Sequence, residues 1–138
     1  MTVSPFVIDA LTAAEQLAAG SSSLAGCNSA RAACLIARQA LERLVDELLE
    51  ARGLACPEAS MRTRLIALGQ AWADEADVGY RAATAWWRLS AACHHHAYEL
   101  DPTLAEAASA IADVRWLAKR GGREGTALAG QGPGEGFA

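Results

Sequence analysis

Apolar residues recur every three or four positions through most of this chain. Near the start they fall at Phe6, Ile8, Leu11, Ala14, Leu17 and Ala18, the spacing that lines one face of a helix. Ser4 is a cap candidate and Pro5 a first-turn proline for that helix, and Gly20 stops it. A flexible connection, Gly20 to Cys27, follows. The longest stripe comes next, at Cys34, Ala37, Leu41, Leu44, Val45, Leu48 and Leu49. Asn28 or Ser29 caps it, and Gly53 stands where a left-handed terminal residue belongs. Arg38 with Glu42 and Arg43 with Glu47 are exposed pairs at helical spacing.

After a turn at Leu54 to Pro57, a short helix is predicted from Ser60 to Leu68, ended by Gly69. Asp74, Glu75 and Asp77 make an acidic start suited to a helix N-terminus. The helix they open carries Tyr80, Ala83, Trp86, Trp87, Leu89, Ser90 and Cys93, and is expected to run to about Leu100. Asp101-Pro102 then restarts the chain as cap and first turn. The last helix uses Leu104, Ala107, Ala108, Ile111, Val114, Trp116 and Leu117, and is expected to end at Lys119-Arg120, before Gly121-Gly122.

The fold class is therefore all-α: an antiparallel bundle of four long helices plus one short helix over residues 1–120. Residues 121–138, rich in glycine, are expected to form a disordered tail. Composition agrees. About a quarter of the residues are alanine, 52% are hydrophobic and only 6% aromatic. Alanine favours helix, and a β-sandwich needs far more Val, Ile and Thr. At 138 residues, one core is the expected number.

The net charge is −4, with 12 basic and 16 acidic residues. This excludes general electrostatic binding to nucleic acid, which needs a basic excess, but not a local site. The first twenty residues hold no Lys or Arg and include Asp9 and Glu15, so no signal peptide is expected. No uncharged apolar run reaches membrane-spanning length, and a cytoplasmic protein is expected. Cys27, Cys34, Cys56 and Cys93 show no CxxC spacing; reduced, mostly buried thiols are the reading.

Reactive side chains are dense in one segment only: Arg88, Ser90, Cys93, His94, His95, His96, Tyr98, Glu99 and Asp101. Arg88 precedes His94 with five residues between, and His95 with six; His96-Ala97-Tyr98 adds a His-x-Tyr element, with Asp101 after it. This arrangement resembles the HEPN superfamily of small helical domains, marked by an Arg, four to six residues, and a His near the end of a late helix. The second helix, with Ala32 to Val45, is similar to the family's long helix. Leu89 stands where the family often has Asn.

The resemblance implies metal-independent cleavage of RNA, of toxin or defence type, in a homodimer that builds a shared site and has an antitoxin-type partner. Arg88 would bind phosphate, His94, His95 or His96 would act as acid or base, and Tyr98 would position the substrate or be modified. RNA carries its own nucleophile, the 2′-hydroxyl, so an imidazole and a guanidinium suffice. No cofactor or metal is called for.

On a continuous helix His95 lies about 20° from Arg88, His96 about 80° and His94 about 120°. Arg88 and His95 are also separated by about 10 Å along the axis, which favours either a helix break or a second subunit. A different class remains open: a non-catalytic helical interaction or dimerisation module, with Arg88 paired to Glu99 or Asp101 of a neighbouring chain. One of Trp86 and Trp87 would then face a partner. Three consecutive histidines on a helix cannot converge on one ion, so a metal site is not expected.

Overall fold

A computed structural model describes residues 1–21, 28–94 and 100–130. Five helices make up its regular structure: α1 Pro5–Ala18, α2 Ser29–Ala51, α3 Met61–Ala71, α4 Ala76–Cys93 and α5 Leu104–Gly130. Helix α2 packs against all four others, and α5 packs against α1, α2 and α4. Contacts fix the directions. Ser4 at the start of α1 donates its backbone N–H to Glu47 Oε1 near the end of α2, at 2.9 Å. Trp72, before α4, donates its indole N–H to the Leu48 carbonyl at 3.1 Å, whereas Arg38 stacks over Trp86 further along. Both α1 and α4 thus run antiparallel to α2. Helix α5 runs parallel to it and antiparallel to α4, since Arg81 and Arg88 reach Asp113 while Arg120 reaches Glu75.

Leu11, Leu41, Leu44, Leu48, Leu68, Trp72, Leu89, Ile111 and Leu117 are fully buried at the centre. Small residues Ala33, Ala37, Ala40, Ala107 and Ala110 are buried between them and let the helices approach closely. Among the described residues no helix is long and apolar enough to cross a membrane.

Local signals placed most helix ends. Asn28 accepts from the Arg31 N–H and Ser60 from the Thr63 N–H, as N-caps do. Gly53 has φ +72°, its N–H donates to the Glu50 carbonyl, and the Leu54 N–H donates to Leu49, the paired closure of a helix end through a left-handed residue.

Besides the end of α4, four ends differ from the sequence expectation. Ser4 sits at the cap position of α1 without a capping bond from its side chain; its N–H is turned to Glu47 instead. Helix α3 continues past Gly69 to Ala71. The start of α5 is set by Thr103, not Asp101: Thr103 Oγ1 accepts from the Glu106 N–H, and Glu106 Oε2 accepts from the Thr103 N–H, a reciprocal capping box. At its other end α5 passes through Gly121-Gly122 and stays helical to Gly130, correcting the expected start of a disordered tail at 121. Tertiary contact carries it across. Gly121 lies against Met1 and Leu48, and Glu124 pairs with Arg52 at 2.7 Å. The rest of the expected tail, 131–138, lies outside the described residues.

Helices α3 and α4 cross where Gly69 meets Gly79: a Cβ on Gly79 would stand 2.9 Å from the Gly69 Cα, whereas a Cβ on Gly69 would meet nothing within 4 Å. Gly79→Ala is expected to destabilise the protein by about 1–3 kcal/mol through overpacking against backbone. Gly69→Ala is expected to stabilise it by about 0.5–1 kcal/mol through helix propensity. Urea denaturation of the two variants checks the opposite signs.

Candidate functional site

Because α4 opposes α2 and α5, three helix ends meet at one end of the bundle: the start of α2, the end of α4 and the start of α5. Between them lies a cleft of about 530 Å³, lined by Arg31 and Cys34 from α2, Arg88, Ala91 and Ala92 from α4, His94, Leu100 and Pro102, and Glu106, Ala107 and Ala110 from α5. Arg88 and His94, both singled out in the sequence, therefore line one cleft within a single chain.

Helix α4 ends at Cys93, not near Leu100; His94 is extended (φ −82°, ψ 123°), and its N–H donates to the Ser90 carbonyl. The angular reckoning on a continuous helix thus fails beyond Cys93. Of the predicted site residues, Arg88 and His94 are brought together; His95, His96 and Tyr98 lie outside the described residues.

Arg88 is 39% exposed and donates through Nη1 to Asp113 Oδ2 at 3.3 Å. Its partner within the chain is on α5. Asp113 also accepts from Arg81 Nη1 at 3.3 Å, and Arg81 stacks over Trp116 with its guanidinium 4.4 Å from the ring centre. One carboxylate thus serves two guanidinia, while Glu106 adds a negative charge to the cleft lining. Asp101 pairs with Arg31.

Cys34 forms part of the cleft floor at 2% exposure. Burial, chiefly, pushes its thiol from 9.0 up to about 11; nearby Cys93 and Glu106 add to this, while Arg88 acts the other way. A thiol held protonated is a poor nucleophile, so the cleft offers guanidinium and imidazole chemistry rather than thiolate chemistry. Sequence reasoning missed Arg31, Cys34 and Glu106 as cleft residues. Arg31 and Cys34 share a helix face by their spacing, but nothing local says that this face meets the end of α4.

A second cavity of about 510 Å³ lies at the opposite end, lined by Met1, Arg43, Asp46, Glu47, Glu50 and Cys56 among others. Two of its three carboxylates already serve the fold: Asp46 accepts from Arg64 at 2.9 Å and Glu47 from the Ser4 N–H. Among the described residues no three His, Cys, Asp or Glu side chains are grouped to hold a metal ion.

Compared with family models, curated proteins and solved structures, the chain finds no significant match.

The raised Cys34 thiol has a pH signature. A folded-state value above the ordinary one adds stability that is full below about pH 9 and is lost as pH rises toward about 11. Denaturation midpoints are expected to fall more steeply over this range for wild type than for Cys34→Ala. Peptide mapping after native alkylation near pH 8 is expected to find Cys34 unmodified, since the thiolate is the reactive form.

Proposed function

We propose that this protein is a metal-independent endoribonuclease of toxin or defence type, acting in the cleft at the end of α4. The observation that supports this reading is that Arg88 and His94 line the same open cleft. Arg88 presents forked N–H donors to the non-bridging oxygens of an RNA phosphate and stabilises the charge that builds there during reaction. His94 takes the proton of the adjacent 2′-hydroxyl. The 2′-oxygen attacks phosphorus, the bond from phosphorus to the 5′-oxygen breaks, and the proton passes from the imidazole to that leaving oxygen. The products are a 2′,3′-cyclic phosphate and a 5′-hydroxyl, and the step consumes no water.

Arg88 and Arg31 in the cleft lining supply the N–H donors for an anionic substrate despite the overall charge of −4. His95, His96 and Tyr98, next in the chain, are the further candidates for proton transfer and substrate positioning.

The second reading, a non-catalytic interaction or dimerisation module, is favoured by a different observation. Tyr80 and Trp87 are 73% and 62% exposed on α4, and seven residues apart they share one helix face. A second copy or an antitoxin-type protein would cover that face, with the Arg88–Asp113 pair serving only the fold.

Incubation of the full chain with mixed structured RNA in EDTA separates the readings. Wild type is expected to cleave and leave 2′,3′-cyclic phosphate ends. Arg88→Ala and His94→Ala are each expected to cleave at least about 100-fold more slowly. Absence of cleavage by the folded protein would favour the module, and equal cleavage by all three would mark a contaminant and remove the catalytic reading.

A further inference from the structure

We propose that Arg31, in the first turn of α2, is a second oxyanion-binding residue of this cleft, so that the ligand is a single-stranded phosphodiester chain engaging both Arg88 and Arg31. The proposal rests on the reading of the cleft as an RNA site and adds to it a residue, and a length of substrate, that the Arg88–His94 pair does not require.

Arg31 lines the cleft with Arg88 and His94, and its guanidinium is used on one side only. One Nη2 hydrogen goes to Asp101, while Nε is buried and has no acceptor among the described residues. A guanidinium donates in a fixed planar fork, and a buried donor without an acceptor is costly. The cleft residues around it offer little relief. Ala91, Ala107 and Ala110 carry no side-chain acceptor, and Glu106, the one carboxylate in the lining, already accepts from the Thr103 N–H.

Nε is closed off from solvent, but the Arg31 side chain keeps 31% of its surface exposed, and an anionic oxygen entering the cleft would accept from the outer N–H donors that Asp101 leaves open. Asp101 is then both a brace and a competitor. It holds the side chain in place, but its charge opposes a second anion. Two guanidinia on separate helices, α2 and α4, suit an anion repeated along a chain better than a single small anion. The alanines leave room for a sugar-phosphate backbone, while Leu100 and Pro102 offer apolar surface at the edge.

The competitor role gives the test its sign. The probe is a fluorescent RNA ten-mer bearing 2′-O-methyl groups, which lacks the nucleophile, so binding is read apart from cleavage. Arg31→Gln is expected to weaken binding about tenfold and to reduce the slope of log affinity against log salt by about 0.7, the share of one phosphate contact on a single strand. Arg31→Lys keeps the charge without the fork and is expected to retain the slope while losing part of the affinity. Asp101→Asn is expected to tighten binding by about threefold, because it removes a competing anion from an exposed pair.

A purely structural ion pair gives a different pattern, with Asp101→Asn weakening binding as Arg31→Gln does; that result, or unchanged binding by Arg31→Gln, overturns the proposal. Loss with Arg31→Gln but not with Arg88→Gln upholds Arg31 and removes Arg88 from the site, against the catalytic reading. Loss with Arg88→Gln alone does the reverse. No binding by wild type, or equal displacement by an acidic peptide at the same charge, removes the assignment of a phosphodiester.

Discussion

The antiparallel packing of α4 against α2, with α5 alongside both, is the constraint from which the other features follow. It places Trp72 beside Leu48 and Arg52 at one end of the bundle, and Arg88 beside Arg31 and Cys34 at the other. At the first end the helices are tied together. The Trp72 ring is fully buried, its N–H is satisfied by a helix carbonyl, and Arg52 covers its face with the guanidinium 4.0 Å from the ring centre. Arg52 also reaches Asp74, Glu124 and the Ala71 carbonyl, so one side chain joins the ends of α2 and α3 to the start of α4 and to α5. Such a cluster orders its members together, unlike a lone exposed pair whose net worth is small. At the other end alanines line the cleft between α2, α4 and α5 among the described residues.

Charge is distributed to match. Most arginines in the described residues are paired one to one or better with carboxylates: Arg115 with Glu15, Arg120 with Glu75, Arg64 with Asp46, and Arg52 with two. Near the cleft Arg81 and Arg88 share Asp113, and Arg31 pairs with Asp101.

The helices themselves were legible. The stripe from Cys34 to Leu49, the cap at Asn28 and the terminator at Gly53 are local signals, each satisfied within a few residues of where it stands, so they survive in any tertiary context. Arg88 and His94 were legible as chemistry, since they stand only six positions apart. Arg31 was not: fifty-seven positions before Arg88, it looks like any arginine in a first helical turn. Helix ends near glycine were misread where long-range contact outweighed local preference, as at Gly121, which packs on Met1 and Leu48.

By itself the sequence determined an all-helical chain, the faces its helices bury and a dense group of reactive side chains after Leu89, because periodicity and capping act over one or two turns. Only the tertiary structure decided that α4 stops at Cys93, that Asp113 serves two arginines and that Arg31 joins Arg88 and His94 around one cleft. Those facts depend on which helix ends meet, which is set by the packing of whole faces and by no short run of residues.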